Sequence, residues 1–284
     1  MSVRKRIDGW RWAGRVFLTL LLIFTVLPMV WMILTSVKSQ FAAMQYPPQW
    51  WPAEPTLQNY VKLLDVTNRV GREFLLYFWN SLYVSTATTI LGVAVAVPAA
   101  YAFSRFRFPG RTFLFFAVLL RNMFPAVVFL MPLFLLMRWM GLVGTHAALI
   151  LTYLTFGLPL SIWLLKGFYD NIPVQLEQAA RIDGATRFQA FLLIVMPLSM
   201  PGIIATAIFS FIGAWNEYVY AATFINDQDR MTLPVGIQRF FAEFATDWPG
   251  LMAATFLMSV PVVVMFLVLQ KYFVKALTEG AVKA

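Results

Sequence analysis

The stretch PVQLEQAARIDGATRFQAFLLIVMPLSMPG, Pro173 to Gly202, is polar and helix-patterned, and it lies between hydrophobic runs long enough to cross a bilayer. Pro173 suits the first turn of a helix, where a missing N–H is no loss. That helix runs to Ile182, and Asp183-Gly184 stops it. Thr186, with Gln189 three residues on, matches a capping box and starts a second helix. The pattern therefore predicts two short helices joined by a tight glycine turn. Ala179, Ala180 and Gly184 carry almost no side chain, so another protein surface can approach the backbone at the bend. Glu177, Arg181, Asp183 and Arg187 supply charge to orient it. On pattern alone, the same residues also describe a solvated loop with two frayed turns.

The rest of the chain places this segment at a membrane. Of 284 residues, 60% are hydrophobic and 12% charged, too much apolar surface for one soluble core to hide. Six runs are long enough to span: Val16 to Thr35, Tyr77 to Phe103, Thr112 to Met137, Ala147 to Leu165, Gly202 to Phe224, and Leu251 to Tyr272. Arg4, Lys5, Arg6, Arg11 and Arg15 precede the first run, which is too long for a signal peptide and lacks a convincing cleavage site, so it reads as a retained anchor. With the N-terminus in the cytoplasm, inner segments hold 14 Lys and Arg and outer segments hold 7, although the longest loop, between the first two spans, is outer. By the positive-inside bias, both termini and the Pro173 to Gly202 loop are cytoplasmic. The net charge of +9 then reflects topology and calls for no nucleic-acid partner. With 0 Cys and His146 as the single histidine, no disulfide framework or multi-histidine metal site is available, and no metal site is expected.

Between the first two spans, the outer segment contains Tyr46-Pro47-Pro48, Trp50-Trp51-Pro52 and Glu54-Pro55, a composition of extended chain with aromatic rings at headgroup level. It is equally a docking surface or an interfacial anchor. Pro98, Pro125, Pro132, Pro159 and Pro261 interrupt the spans, which points to a bundle around a cavity. Gly92, Ala96 and Ala100 at four-residue spacing allow close helix packing. Arg121 and Glu217 are charges inside spans, each costing roughly 2.5–3.5 kcal/mol on insertion scales. Asn122 flanks the first; Trp215, Asn216 and Tyr218 flank the second. One reading puts these residues on a solute path, where amides, carboxylates and rings meet sugar hydroxyls and faces. The other makes Arg121 and Glu217 a buried ion pair or a subunit contact.

Gln178-Ala179-Ala180, three residues, Gly184, nine residues, Ile194, one residue and Met196-Pro197 together resemble the EAA loop of bacterial ATP-binding-cassette importer permeases. Two positions depart from that pattern. Gln178 stands where the family has glutamate, with Glu177 one place earlier, and Met196 replaces the usual leucine. Phe209-Ser210-Phe211, Trp215 to Tyr218, Thr232 to Gly236, Gln270 to Val274 and Leu277 to Lys283 are similar to the carbohydrate, maltose-type branch, as is the Arg105 to Arg111 turn.

The resemblance implies an all-α polytopic membrane protein with six transmembrane helices and the type I importer permease fold. Its parts are a basic N-terminus over 1–15, a first span with extracytoplasmic segment over 16–76, a core permease domain over 77–272 with the coupling loop at 170–200, and a cytoplasmic tail over 273–284. It implies import of a sugar, a di- or oligosaccharide, at the bacterial inner membrane. The partners would be a second homologous permease, two ATPase subunits and an extracytoplasmic sugar-binding protein. Glu177, Gln178, Ala179, Ala180, Asp183, Gly184 and Arg187 would couple to the ATPase, and Thr278, Glu279 and Gly280 in the tail would contact it.

No catalytic residues and no cofactor are expected in this chain, because it has no G-x-x-x-x-G-K-[ST] loop to hold phosphates. ATP and Mg would sit on the ATPase subunits. An ion-coupled secondary transporter is the alternative. Such proteins often have duplicated halves with broken helices at matching positions, and the first half has no repeat of Trp215-Asn216-Glu217. An intramembrane enzyme lacks the usual catalytic constellations here.

Overall fold

The computed structural model describes residues 2–238 and 246–281, with side chains described for 10–238 and 246–270. The helices in chain order are α1 (Ser2–Ser36), α2 (Gln40–Met44), α3 (Gln58–Leu64), α4 (Arg69–Arg105), α5 (Arg111–Leu120), α6 (Leu130–Trp139) and α7 (His146–Asn171). They continue as α8 (Val174–Ile182), α9 (Arg187–Ala190), α10 (Met196–Trp215), α11 (Val219–Phe224), α12 (Leu233–Ile237) and α13 (Trp248–Ala281). The fold is all-α.

Five helices are long and apolar enough to cross a membrane: Trp10–Ser36, Arg69–Arg105, His146–Asn171, Arg187–Trp215 and Trp248–Gln270. The expected six are reached with a bent pair, Arg111–Met123 and Ala126–Trp139, whose axes differ by 101°. The straight third span expected from sequence is therefore broken. Pro125 explains the break: the residue before a proline is pushed out of the helical region, and Phe124 is extended at φ −94, ψ 136.

The fifth span also differs, beginning at Arg187 and ending at Trp215. A single π turn, Phe191–Val195, joins α9 to α10. It widens the backbone just ahead of Pro197, whose ring would otherwise strike the carbonyl one turn back. The Ser199 hydroxyl donates to the Val195 carbonyl at 2.8 Å.

The chain divides into two compact units. In the first, Met1–Leu75 with Ile237–Ser259, the Asn59 amide donates to the Ser36 and Lys38 carbonyls at 2.8 and 2.9 Å. The buried Lys38 ammonium donates to the Gln49 carbonyl and lies 4.5 Å from the Trp31 ring. Burial pulls its pKa below the ordinary lysine value. Most apolar side chains of α1 from Val16 to Ile33 are exposed, as a helix facing lipid requires, with Trp31 and Met32 half-buried.

The second unit, Leu76–Gly236 with Val260–Ala284, holds two apolar clusters. One joins Val84 of α4, Leu149 and Tyr153 of α7, and Ala221 and Phe224 of α11. The other joins Ala96 and Ala100 of α4, Leu165 of α7, Phe191 and Val195 of the π turn, and Ile203 of α10. The small-residue stripe performs its expected packing role: Ala96 and Ala100 are fully buried, and a methyl at Gly92 would touch Leu154 and Ser210 at 3.4 and 3.6 Å. Gly202 is required more strictly, since a Cβ there would lie 2.4 Å from the Phe168 ring.

Candidate functional site

The Pro173 to Gly202 segment forms the predicted helical hairpin. At the end of α8, the Ala185 N–H donates to the Ala180 carbonyl at 3.0 Å and the Gly184 N–H to the Arg181 carbonyl at 3.2 Å. These are the two bonds of a Schellman motif, and Gly184 takes the left-handed φ of +95° that it needs. The Thr186 hydroxyl then accepts from the Gln189 N–H at 3.2 Å, and the Gln189 side-chain oxygen accepts from the Thr186 N–H at 2.8 Å. The capping box is reciprocal, so α9 starts at a defined angle and continues through the π turn into α10.

One charged residue of the hairpin faces inward. Glu177 is 7% exposed; its carboxylate accepts from Arg105 Nε at 2.5 Å and from the Tyr101 hydroxyl at 2.7 Å. Arg105 also donates to the Ile172 carbonyl at 2.7 Å, and the Ser104 hydroxyl donates to Asp170 at 2.6 Å. Lys166 pairs with Asp170 at 2.5 Å. The last turn of α4 thus grips the end of α7 and the first turns of α8 in one polar bracket. Neither Tyr101 nor Arg105 was assigned to this site from sequence, because each lies more than 70 residues from Glu177 and no local pattern links them.

Apart from the buried Ala190, the hairpin residues expected to meet a partner face mainly outward. Gln178, Ala179, Asp183, Gly184 and Arg187 are exposed and Ala180 is half-buried. Gly184 has open space around it, and the Arg187 guanidinium sits 5.7 Å from the Phe106 ring. Two large apolar side chains share this surface, Ile182 at 86% and Phe188 at 68% exposure. The bend therefore exposes an apolar pair with charges beside it. The side chains of Thr278, Glu279 and Gly280 lie outside the described residues.

A second polar group lies at the break of the third span and the end of the fifth; Glu217, expected inside a span, stands two residues past Trp215, where the fifth ends. Glu217 follows the end of α10, and its carboxylate accepts from the Tyr153 hydroxyl at 2.7 Å and from the Tyr220 and Ala221 N–H groups at 2.9 and 3.1 Å. It caps α11. The Tyr220 hydroxyl donates to the Ala126 carbonyl at 2.6 Å, which ties this helix break to the break at Pro125. The Arg121 guanidinium lies 3.6 Å from the Phe156 ring centroid and donates to the Asn122 side-chain oxygen at 2.7 Å.

Arg121 and Glu217 form no ion pair with each other among the described residues. Asn122, Asn216 and Tyr218 are exposed. Trp215 is different. It is buried, stacked on Phe211 at 5.6 Å and edge-on to Phe78 at 5.6 Å, so its ring faces are occupied by protein and not offered to a sugar.

The family model for the binding-protein-dependent transport system inner membrane component matches residues 88–279. The sulfoquinovosyl glycerol transport system permease protein SmoH of Agrobacterium fabrum is 36% identical over 265 residues, covering 93% of this chain and 91% of that one. The trehalose/maltose transport system permease protein MalG of Thermococcus litoralis is 36% identical over 265 residues, covering 93% and 94%. Among solved structures, a bacterial ABC transporter involved in import of the acidic polysaccharide alginate superposes with a TM-score of 0.81 at 22% identity, covering 96% of this chain and 99% of that one. The fold is shared with that permease.

Proposed function

The chain belongs to the family of binding-protein-dependent transport system inner membrane components, and from that premise we propose that it is a permease subunit of an ATP-driven sugar importer. It works with a second homologous permease, two ATPase subunits that carry ATP and Mg, and an extracytoplasmic sugar-binding protein. Both termini and the α8–α9 hairpin face the cytoplasm. The relatives' printed sugars, trehalose, maltose and sulfoquinovosyl glycerol, support a carbohydrate substrate.

The observation that carries the mechanism is the bracket of Arg105, Tyr101 and Glu177. A loop that only decorated the surface would need no buried ion pair. Here the hairpin is fixed at two points: Glu177 to α4 on one side, and the α9–π turn–α10 continuity on the other. A displacement of the hairpin therefore moves α4 and α10 with it, because packed helices shift as rigid bodies between discrete arrangements. ATP closes the partner ATPases, the hairpin follows, and the cavity opens outward; hydrolysis returns it inward. Gln178, Ala179, Asp183, Gly184 and Arg187 form the contact face, with Ile182 and Phe188 as its apolar anchors.

The test is uptake by proteoliposomes holding the assembled complex, with binding protein outside. Uptake of trehalose, maltose or an anionic glycoside that requires enclosed ATP agrees with this function. Uptake driven by a proton or sodium gradient without ATPase subunits would replace it with the secondary-transporter reading.

A further inference from the structure

The break between α5 and α6 carries a cation that no carboxylate among the described residues neutralises. The 10 residues of α5 rise about 15 Å, roughly half of a hydrocarbon core of about 30 Å, so with Arg111 at the membrane surface Arg121 reaches mid-depth. Irregular backbone at that depth persists only where protein covers it or where it lines a water-filled cavity. Met123, Phe124 and Val127 at the break are exposed, so the described residues do not cover it.

Arg121 donates to Asn122, and its guanidinium plane is held against Phe156 and 5.9 Å from Phe129. Its Nε is buried without a hydrogen-bond partner. No carboxylate among the described residues lies within ion-pair distance. The carboxylate of Glu217 is already engaged by three donors. The buried Nε is out of a solute's reach, but Arg121 is half-buried, and the terminal amino groups of a ring-stacked guanidinium are a receptor for a planar or tetrahedral oxyanion.

We infer that the transported sugar bears an anionic group, a carboxylate or sulfonate, and that Arg121 is its counter-ion at the mid-membrane break. This inference rests on the importer function proposed above. It makes Arg121 a specificity-determining residue: a neutral sugar would leave the guanidinium unpaired, while an anionic one completes it.

The experiment uses the reconstituted complex with its binding protein and four probes: trehalose and maltose as neutral sugars, digalacturonate and sulfoquinovosyl glycerol as anionic ones. The expected result is ATP-dependent uptake of an anionic probe, with KM raised at least about tenfold in Arg121→Gln and less in Arg121→Lys. Uptake of neutral probes alone, with the same KM in wild type and Arg121→Gln, would overturn the inference and leave the importer function standing. Loss of the second permease from the Arg121→Gln complex on co-purification would also overturn it, by making Arg121 a subunit contact. Uptake of a probe driven by a proton or sodium gradient without ATPase subunits would sink the importer reading and this inference with it.

Discussion

Arg105 and Glu177 meet across 72 residues of sequence, and their side chains are about nine-tenths buried. Breaking such a pair from one side leaves an uncompensated charge in a site built for two, at a cost of about 3–5 kcal/mol. Arg105→Leu should therefore lower the detergent melting temperature of the subunit substantially. Replacing both partners, Arg105→Met with Glu177→Leu, removes both charges and should recover most of that loss. A melting temperature for the double variant as low as for the single would show that the bracket is not an isolated pair. The same residues explain a limit of sequence reading. Glu177 read as one of several charges around an EAA-like motif; only folding brings α4 to it and turns it inward.

At the scale of elements, local signals were legible and long-range ones were not. The Gly184 turn and the Thr186 capping box are set within a few residues, so their chemistry is visible in the string. The sharp bend at Pro125 was not. Proline announces an irregularity, but its angle of 101° depends on what packs around it, including the Tyr220 hydroxyl on the Ala126 carbonyl. The merger of α9 with α10 was likewise hidden, since a π turn inserts no break in hydrophobicity.

Two glycines in these elements separate conformation from space. Gly184 has a left-handed backbone and open surroundings, so Gly184→Ala should cost about 1–2 kcal/mol and Gly184→Asn less. Gly202 has a crowded neighbour in Phe168, so Gly202→Ala should cost on the order of 1–3 kcal/mol through overpacking. Thermal unfolding of purified subunits checks both. Equal effects of Ala and Asn at position 184 would contradict the conformational explanation.

For the whole molecule, the charge bias across the spans predicts an orientation, and the absence of cysteine permits a clean test. Ile182→Cys in the hairpin and Gln45→Cys in the outer segment are both at exposed positions. In spheroplasts with the outer face exposed, an impermeant maleimide should label Gln45→Cys, and Ile182→Cys only after lysis. The reverse pattern would turn the protein over and remove the hairpin from reach of an ATPase. With that orientation, the proposed alternating access would be driven from the cytoplasmic side, through a hairpin tied to α4 and α10.

The direct test of that linkage is simultaneous measurement of ATP hydrolysis and sugar uptake in proteoliposomes containing wild-type or Glu177→Gln permease, both fully assembled with ATPase subunits and binding protein. The bracket predicts that Glu177→Gln lowers sugar molecules moved per ATP by about tenfold or more, a loss of about 1.4 kcal/mol of coupling. An unchanged ratio of uptake to hydrolysis would contradict the claim that force enters the membrane helices through Glu177.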